Sequence, residues 1–459
     1  MGSPAARDGP RQLRASAGVG RDDLAKPTPC HPATESTGAQ VHRHQVDRIS
    51  NAGEDDSEAH DVERLQSNVF DVCRGSVRSV DSLIDGACTQ AGSDDFDSCS
   101  FLDGLGVLVA SMGACDRITP AGHERLDGLI VEHLVRRLRV AEYLGRRPEI
   151  LDAPIERPVF VMGMPRTGTT AVINLLDRDP ARRAVLRWSL EDPVPPPTTA
   201  GLRNDPRCVG ALERQRAVIA AGLPGATIRF EWADSPAECV HVMNHDFKAM
   251  QWESAAPMPG YSEFIFSCSM DSAYEWHRRF LQLLQADAPG TWALKAPSHA
   301  LWLDTLLRVY PDARIVWTHR DPFTALASFM SLTANAHRRN CDSADVDWLR
   351  RHAPGYVAEH VRRPMAQLDA LGARFHHIHY ADFVRDEIGT IRALYDWLGD
   401  DLTPDTESAM RAWLGQRRQA KLGEHRYALG DFGLERADVS SLFEDYIAHF
   451  DITLDGGPS

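Results

Sequence analysis

The chain has 459 residues, 43% apolar and 25% charged, an ordinary globular balance with room for one large α/β domain and a helical annex. Fifty basic against 65 acidic residues leave a net charge of −15, which argues against nucleic-acid binding and against a polybasic membrane anchor. The sequence has no run of 18 apolar residues and its N-terminus does not read as a signal peptide, so a cytoplasmic protein without an integral membrane segment is expected.

Residues 1–60 are rich in Gly, Pro, Ser, Asp, Arg and His without a period, and are expected to form a disordered leader. From 61 to 150 the pattern turns helical. Thr119 and Pro120 supply an N-cap hydroxyl and a first-turn proline, after which Leu126, Ile130, Leu134 and Leu138 recur at four-residue spacing. This predicts a helical annex whose apolar face covers another element. The nine cysteines (30, 73, 88, 99, 115, 208, 239, 268, 341) are scattered singly, so neither a disulfide framework nor a zinc cluster is expected, and a reducing compartment fits best.

The rest of the chain, 151–459, reads as one domain. Pro158 to Met162 is a short apolar run of the kind that forms a buried parallel strand. The loop Gly163-Met164-Pro165-Arg166-Thr167-Gly168-Thr169-Thr170 follows, then a helical stretch from Ala171. Residues 190–290 hold a proline patch (Pro193, Pro195, Pro196, Pro197) and helical segments dense in Trp, His and Met, expected as a helical insertion that shapes a substrate pocket. Further strands are predicted at Trp292–Leu294, Arg314–Thr318 and Phe375–Tyr380. The helices that follow them are expected over 299–309, after Asp321-Pro322, and over 388–398. Strands alternating with helices imply a P-loop-like, doubly wound parallel α/β sheet flanked by helices.

A glycine-bearing loop between a buried strand and a helix N-terminus is an anion site, because its free N–H groups converge where the helix dipole is positive. Gly163 and Gly168 allow the turn, and Thr169 and Thr170 add hydroxyls. A loop for ATP or GTP needs lysine where Thr169 stands. The cation here is Arg166, which points to an anionic group bound without Mg²⁺, and no metal is expected.

Pro165-Arg166-Thr167-Gly168-Thr169-Thr170 resembles the 5′-phosphosulfate loop of the PAPS-dependent sulfotransferases. Arg320, at a strand end, with Ser328 in the next helix, resembles the family's 3′-phosphate motif; arginine offers a planar fork of donors matched to phosphate. The resemblance covers about 100–430. It extends to Leu294-Lys295-Ala296-Pro297, to Tyr310–Val316 and to Gly423–Tyr427, and is similar to the bacterial branch related to tyrosylprotein sulfotransferases. It implies PAPS as co-substrate, PAP as product and a hydroxyl-bearing small molecule or lipid, such as a glycolipid, as acceptor. Gly163, Pro165, Arg166, Thr167, Gly168, Thr169, Thr170, Arg320 and Ser328 would hold the nucleotide, joined by Lys421 and Arg426 from a late loop.

Sulfuryl transfer needs cations at the departing oxygen and a base for the acceptor's proton. Arg166 and Lys295 meet the first need; Lys295 is one of only four lysines. Many relatives supply the base as the glutamate of a Trp-Glu pair. This chain has Ser189 after Trp188, with Glu191 two positions on. His299, four residues after Lys295, is the rival, since imidazole titrates near working pH.

Other groupings carry less. His377 and His379 share a strand face that could take a metal, but with no third ligand indicated, a strand-edge histidine cluster is favoured. His241, His245 and Asp246 either line the acceptor pocket or pack between helices. Trp232, Trp252, Tyr261 and Trp276 either wall an apolar pocket or belong to the core. Two rival functions follow from the same residues. One is a divergent P-loop small-molecule kinase, disfavoured by Thr169. The other is a catalytically inactive PAP(S)-binding protein, favoured by Ser189 in place of the glutamate.

Overall fold

The computed structural model describes residues 78–221, 232–419 and 427–455; the expected leader, Lys421 and Arg426 lie outside the described residues. Among the described residues three helices come first: α1 (Val80–Ala91), α2 (Phe101–Ala114) and α3 (Pro120–Arg146). The Thr119 hydroxyl caps α3, accepting from the Gly122 N–H at 2.9 Å, with Pro120 in the first turn. Leu126, Ile130, Leu134 and Leu138 all lie on its buried face.

Five parallel strands follow among the described residues: β1 (Val159–Gly163), β2 (Arg182–Arg183), β3 (Thr291–Lys295), β4 (Arg314–His319) and β5 (Phe375–His379), in the order β2-β3-β1-β4-β5. Among the helices between and after them are α4 (Thr169–Leu176), α5 (Arg187–Glu191), α6 (Pro206–Ala220), α7 (Asp271–Gln285), α8 (Pro322–Asn340), α9 (Val346–Met365), α10 (Glu387–Leu398), α11 (Pro404–Gln419) and α12 (Glu444–His449). The predicted helix over 299–309 divides into a 3₁₀ turn (Pro297–Leu301) and an α-helix (Leu303–Val309), because Trp302 between them leaves helical geometry.

Successive side chains of a strand face opposite ways, and the core follows that alternation. Phe160 and Met162 of β1 join Leu294, Ile315 and Trp317 in the larger apolar layer, which also takes the α3 leucines and α7. Val159 and Val161 face the other layer with Ala293, Val316 and Ile378, closed by α4, α10 and α11. The annex is therefore continuous with the main core.

A buried charge locks the annex to the insertion. Arg137 of α3 and Asp246 are both essentially unexposed and pair at 3.2 Å. The guanidinium sits 4.1 Å from the Trp276 ring centre, and Asp246 also accepts from Ser100 (2.9 Å) and Ser272 (2.6 Å). These partners make the buried charge tolerable, although the Arg137 Nε itself finds none. His245 accepts from Trp276 Nε1 at 3.2 Å, so His245, Asp246, Trp252, Tyr261 and Trp276 belong to the core, whereas Trp232 is exposed. Among the described cysteines, Cys99 is in a disulfide and the other six are free, a departure from the wholly unpaired set that sequence spacing suggests.

Candidate functional site

Parallel sheets expose their strand carboxyl ends to ligands where neighbouring connections diverge. The loop after β1 lies there. Gly163 pairs in register with Thr318 of β4, and a Cβ on Gly163 would come within 2.5 Å of the Thr318 carbonyl oxygen. Gly168 has φ +94°, and its Cβ would meet the Tyr380 ring at 2.9 Å. Both positions require glycine. Thr167 turns inward, donating to the Met164 carbonyl at 2.8 Å and lying 2.5 Å from Thr318 Oγ1. The loop runs directly into α4, whose first turn, as in any helix, leaves N–H groups without intrahelical partners at the loop's end.

Arg166 is a non-glycine residue at φ +74°, a strained conformation that persists only where its surroundings fix it. Its Nε donates to Ser328 Oγ at 3.1 Å, and its own carbonyl accepts from Arg320 at 3.0 Å. Arg320 also stacks 4.4 Å from the Tyr380 ring centre and lies 3.7 Å from the Asp455 carboxylate. Asp321 caps α8 by accepting from the Phe323 N–H, which aims the first turns of that helix, and with them Ser328, at the loop. The structure thus brings Arg166, Arg320 and Ser328 together; Tyr380 is an addition that no sequence spacing indicates.

Lys295 ends β3 with its side chain almost fully buried. Its ammonium donates to Thr170 Oγ1 at 3.3 Å and forms an ion pair with Glu238. Burial pushes the Glu238 carboxyl up, but the Lys295 charge and hydrogen bond, helped by His241 and Arg166, outweigh it and hold the group below the usual carboxylate range. Backbone pairing sets this position. The Ala237 N–H donates to Val185 (2.8 Å), Cys239 to Lys295 (2.9 Å), Arg187 to Ser235 (3.0 Å) and Trp188 to Ala233 (2.9 Å). Residues 233–239 therefore run beside 185–188 and deliver Glu238 to the end of β3. Sequence reasoning misses Glu238, because this pairing is tertiary and no local motif marks it.

The two residues expected as bases are each engaged in other contacts. Ser189 is buried, its hydroxyl on the Leu186 carbonyl at 2.9 Å. Residues 187–191 form a regular turn of helix, so Glu191 meets Arg187 one turn back, at 2.9 Å, and is half exposed. His299 is fully buried: its Nδ1 is 2.9 Å from the Tyr274 hydroxyl and its ring packs edge-on against Phe160. Burial, with His277 adding, drives its pKa well below the ordinary value. His377 bonds His319 across the strands (2.8 Å), and His379 lies 5.2 Å from the His319 ring. Among the described residues no three His, Cys, Asp or Glu side chains are grouped to hold a metal ion, and no helix is long and apolar enough to cross a membrane.

The chain matches the model of the sulfotransferase family over residues 158–404. It is similar to the crystal structure of sulfotransferase STF9 from Mycobacterium avium, with 37% identity, a TM-score of 0.78, and coverage of 84% of this chain and 100% of that one. It is also similar to sulfotransferase STF1 from Mycobacterium tuberculosis H37Rv, with 29% identity, a TM-score of 0.71, and coverage of 81% and 99%. No curated protein matches the chain.

Proposed function

Because the chain belongs to the sulfotransferase family, we propose that it moves a sulfuryl group from PAPS to a hydroxyl of a small-molecule or lipid acceptor, releasing PAP. The observation that carries this reading is the Lys295 ammonium held between a loop hydroxyl and the Glu238 carboxylate. The loop's lack of room for a Cβ at Gly163 and Gly168, with two arginines bordering it, fits a doubly phosphorylated adenosine. PAPS, when bound, supplies the activated sulfuryl group and the phosphate oxygen it leaves.

The chain's own residues then divide the work. Arg166 and the α4 N-terminus hold the 5′ side, and Arg320 with Ser328 the 3′-phosphate. Lys295 keeps a positive charge at the loop mouth beside Thr170, where negative charge develops. Glu238, rather than Glu191 or His299, takes the acceptor's proton on a carboxylate oxygen. Its depressed pKa keeps it ionised at neutral pH, and any movement of Lys295 off it raises its proton affinity.

Glu238 supplies the carboxylate that Ser189 lacks, which disfavours the inactive PAP-binding reading. Thr169 is buried where a kinase places its phosphate-reaching lysine. The test is calorimetry with PAP together with transfer from labelled PAPS. PAP should bind the wild type and bind more weakly to Arg166→Ala and Arg320→Ala, while Glu238→Gln binds PAP normally and transfers poorly. Absence of PAP binding by the wild type would overturn the proposal.

A further inference from the structure

Three polar residues behind Glu238 have no part in the roles just assigned. Helix α5 carries Arg187 and Glu191 on one face, and the Arg187 Nε donates to Glu191 Oε1 at 2.9 Å. The same guanidinium lies 3.3 Å from His241 Nε2, through NH1. Arginine can only donate, so His241 Nε2 must be the bare, accepting nitrogen, and the ring proton of the neutral form sits on Nδ1. His241 also bonds the Gln251 side chain, and Gln251 in turn accepts from Asn244 at 2.8 Å. The ring is thus held from two sides. It stands one turn after Glu238, its backbone N–H donating to the Glu238 carbonyl at 3.1 Å.

We propose that Glu191, Arg187 and His241 form a clamp that fixes the His241 ring in one tautomer beside Glu238, making Arg187 a positioning residue for the base. The inference rests on the reading of Glu238 as that base. Glu191 fixes the guanidinium, and the guanidinium denies His241 a proton on the nitrogen it faces. While the imidazole is neutral, Lys295 and Arg166 are the cations that keep Glu238 ionised, and His241 adds to them only when protonated. The other groups around the ring push the same way or are balanced. Burial lowers the proton affinity of His241 most, Arg187 next and Lys295 further, while Glu238 and the Gln251 bond raise it, leaving a pKa of about 4. From α3, His133 and Arg136 reach the same cluster; Arg136 donates to the Glu191 carbonyl at 3.1 Å and pairs with Glu132. His245, in the 3₁₀ turn that follows the helical turn carrying His241, is buried, and burial lowers its pKa well below the ordinary value.

The test compares wild type with Arg187→Met, Arg187→Lys and Glu238→Gln. It has three readouts: hydrolysis of radiolabelled PAPS, with water as acceptor, from pH 4.5 to 8; calorimetry with PAP; and NMR titration of histidine-labelled protein. Arg187→Met should lower kcat roughly 10- to 100-fold, the scale of a misplaced catalytic geometry. It should move the His241 titration up from about 4 toward the ordinary histidine range, and leave PAP affinity unchanged. Arg187→Lys should recover part of the rate. If Glu238→Gln abolishes turnover while Arg187→Met matches wild type in rate profile and His241 titration, the clamp is overturned and the base stands. If Glu238→Gln turns over normally, the base assignment fails and the clamp with it.

Discussion

The Lys295 ammonium rests on the Glu238 carboxylate at the carboxyl end of β3, although the two residues come from different parts of the chain. As the proposed general base beside this cation, Glu238 has two measurable properties. Glu238→Gln should cost about 10²–10⁴ in transfer rate, with PAP affinity kept. Because the carboxyl is held below its ordinary range, activity should persist above that lowered pKa and fall only as pH drops through it. Lys295→Met removes the restraint, so the acid limb of whatever activity remains should move to higher pH. The pH–rate profile of each variant checks this.

Arg166→Ala and Arg320→Ala should each weaken PAP binding by about 1.5–3 kcal/mol, the range for a charged hydrogen bond. Ser328→Ala should cost about 1 kcal/mol, because it also frees the Arg166 Nε it receives at 3.1 Å. Calorimetry at two salt concentrations measures these differences. The two arginine losses should shrink at high salt, because charged contacts to an exposed anion are screened.

Gly163→Ala should destabilise the fold outright. The added methyl would lie 2.5 Å from a backbone carbonyl that β4 cannot move without breaking its register with β1. A loss of several degrees in Tm is expected, together with loss of PAP binding. Wild-type Tm in this variant would contradict the packing described for the loop.

Arg137→Met should be costly, about 3–5 kcal/mol, since it strands Asp246 in the core without its cation. Adding Asp246→Leu in the same chain should recover much of that loss. A double-mutant cycle by denaturant unfolding separates the pair's coupling from the simple loss of packing.

Acid should destabilise the protein earlier than carboxylates alone would predict. His133, His245, His299 and His319 are held neutral by burial, with pKa values well below the ordinary one. The unfolded chain then binds more protons than the native one below about pH 6.5, so stability falls as pH drops through that value and levels off below the native pKa values. Unfolding midpoints measured from pH 7.5 to 5 should decline steadily.

Much of this was legible in order along the chain. The run Pro158–Met162, the loop after it, the Asp321 cap and the four-residue spacing of the α3 leucines each report a local rule, and local rules survive folding. Strand β2 was not legible: it is two arginines, with no apolar run to mark it, held by pairing with Thr291 and Trp292. Its Arg183 is buried by donating to the Leu284 carbonyl at 2.7 Å, a tertiary fact. Glu238 was invisible for the same reason, since its place depends on 233–239 aligning with 185–188. Helix formation over 187–191 sets Glu191 against Arg187, a placement that its position two residues after Ser189 does not announce.

Arg320 donates to the main-chain oxygen of Arg166, so the side chain assigned to one end of the nucleotide also braces the loop assigned to the other. The proposed recognition in this crevice would therefore not be modular. An adenylate lacking the 3′-phosphate would still feel the absence of Arg320, through a slackened grip on its sulfated end, and discrimination between the two ligands would be smaller than a tally of missing contacts suggests.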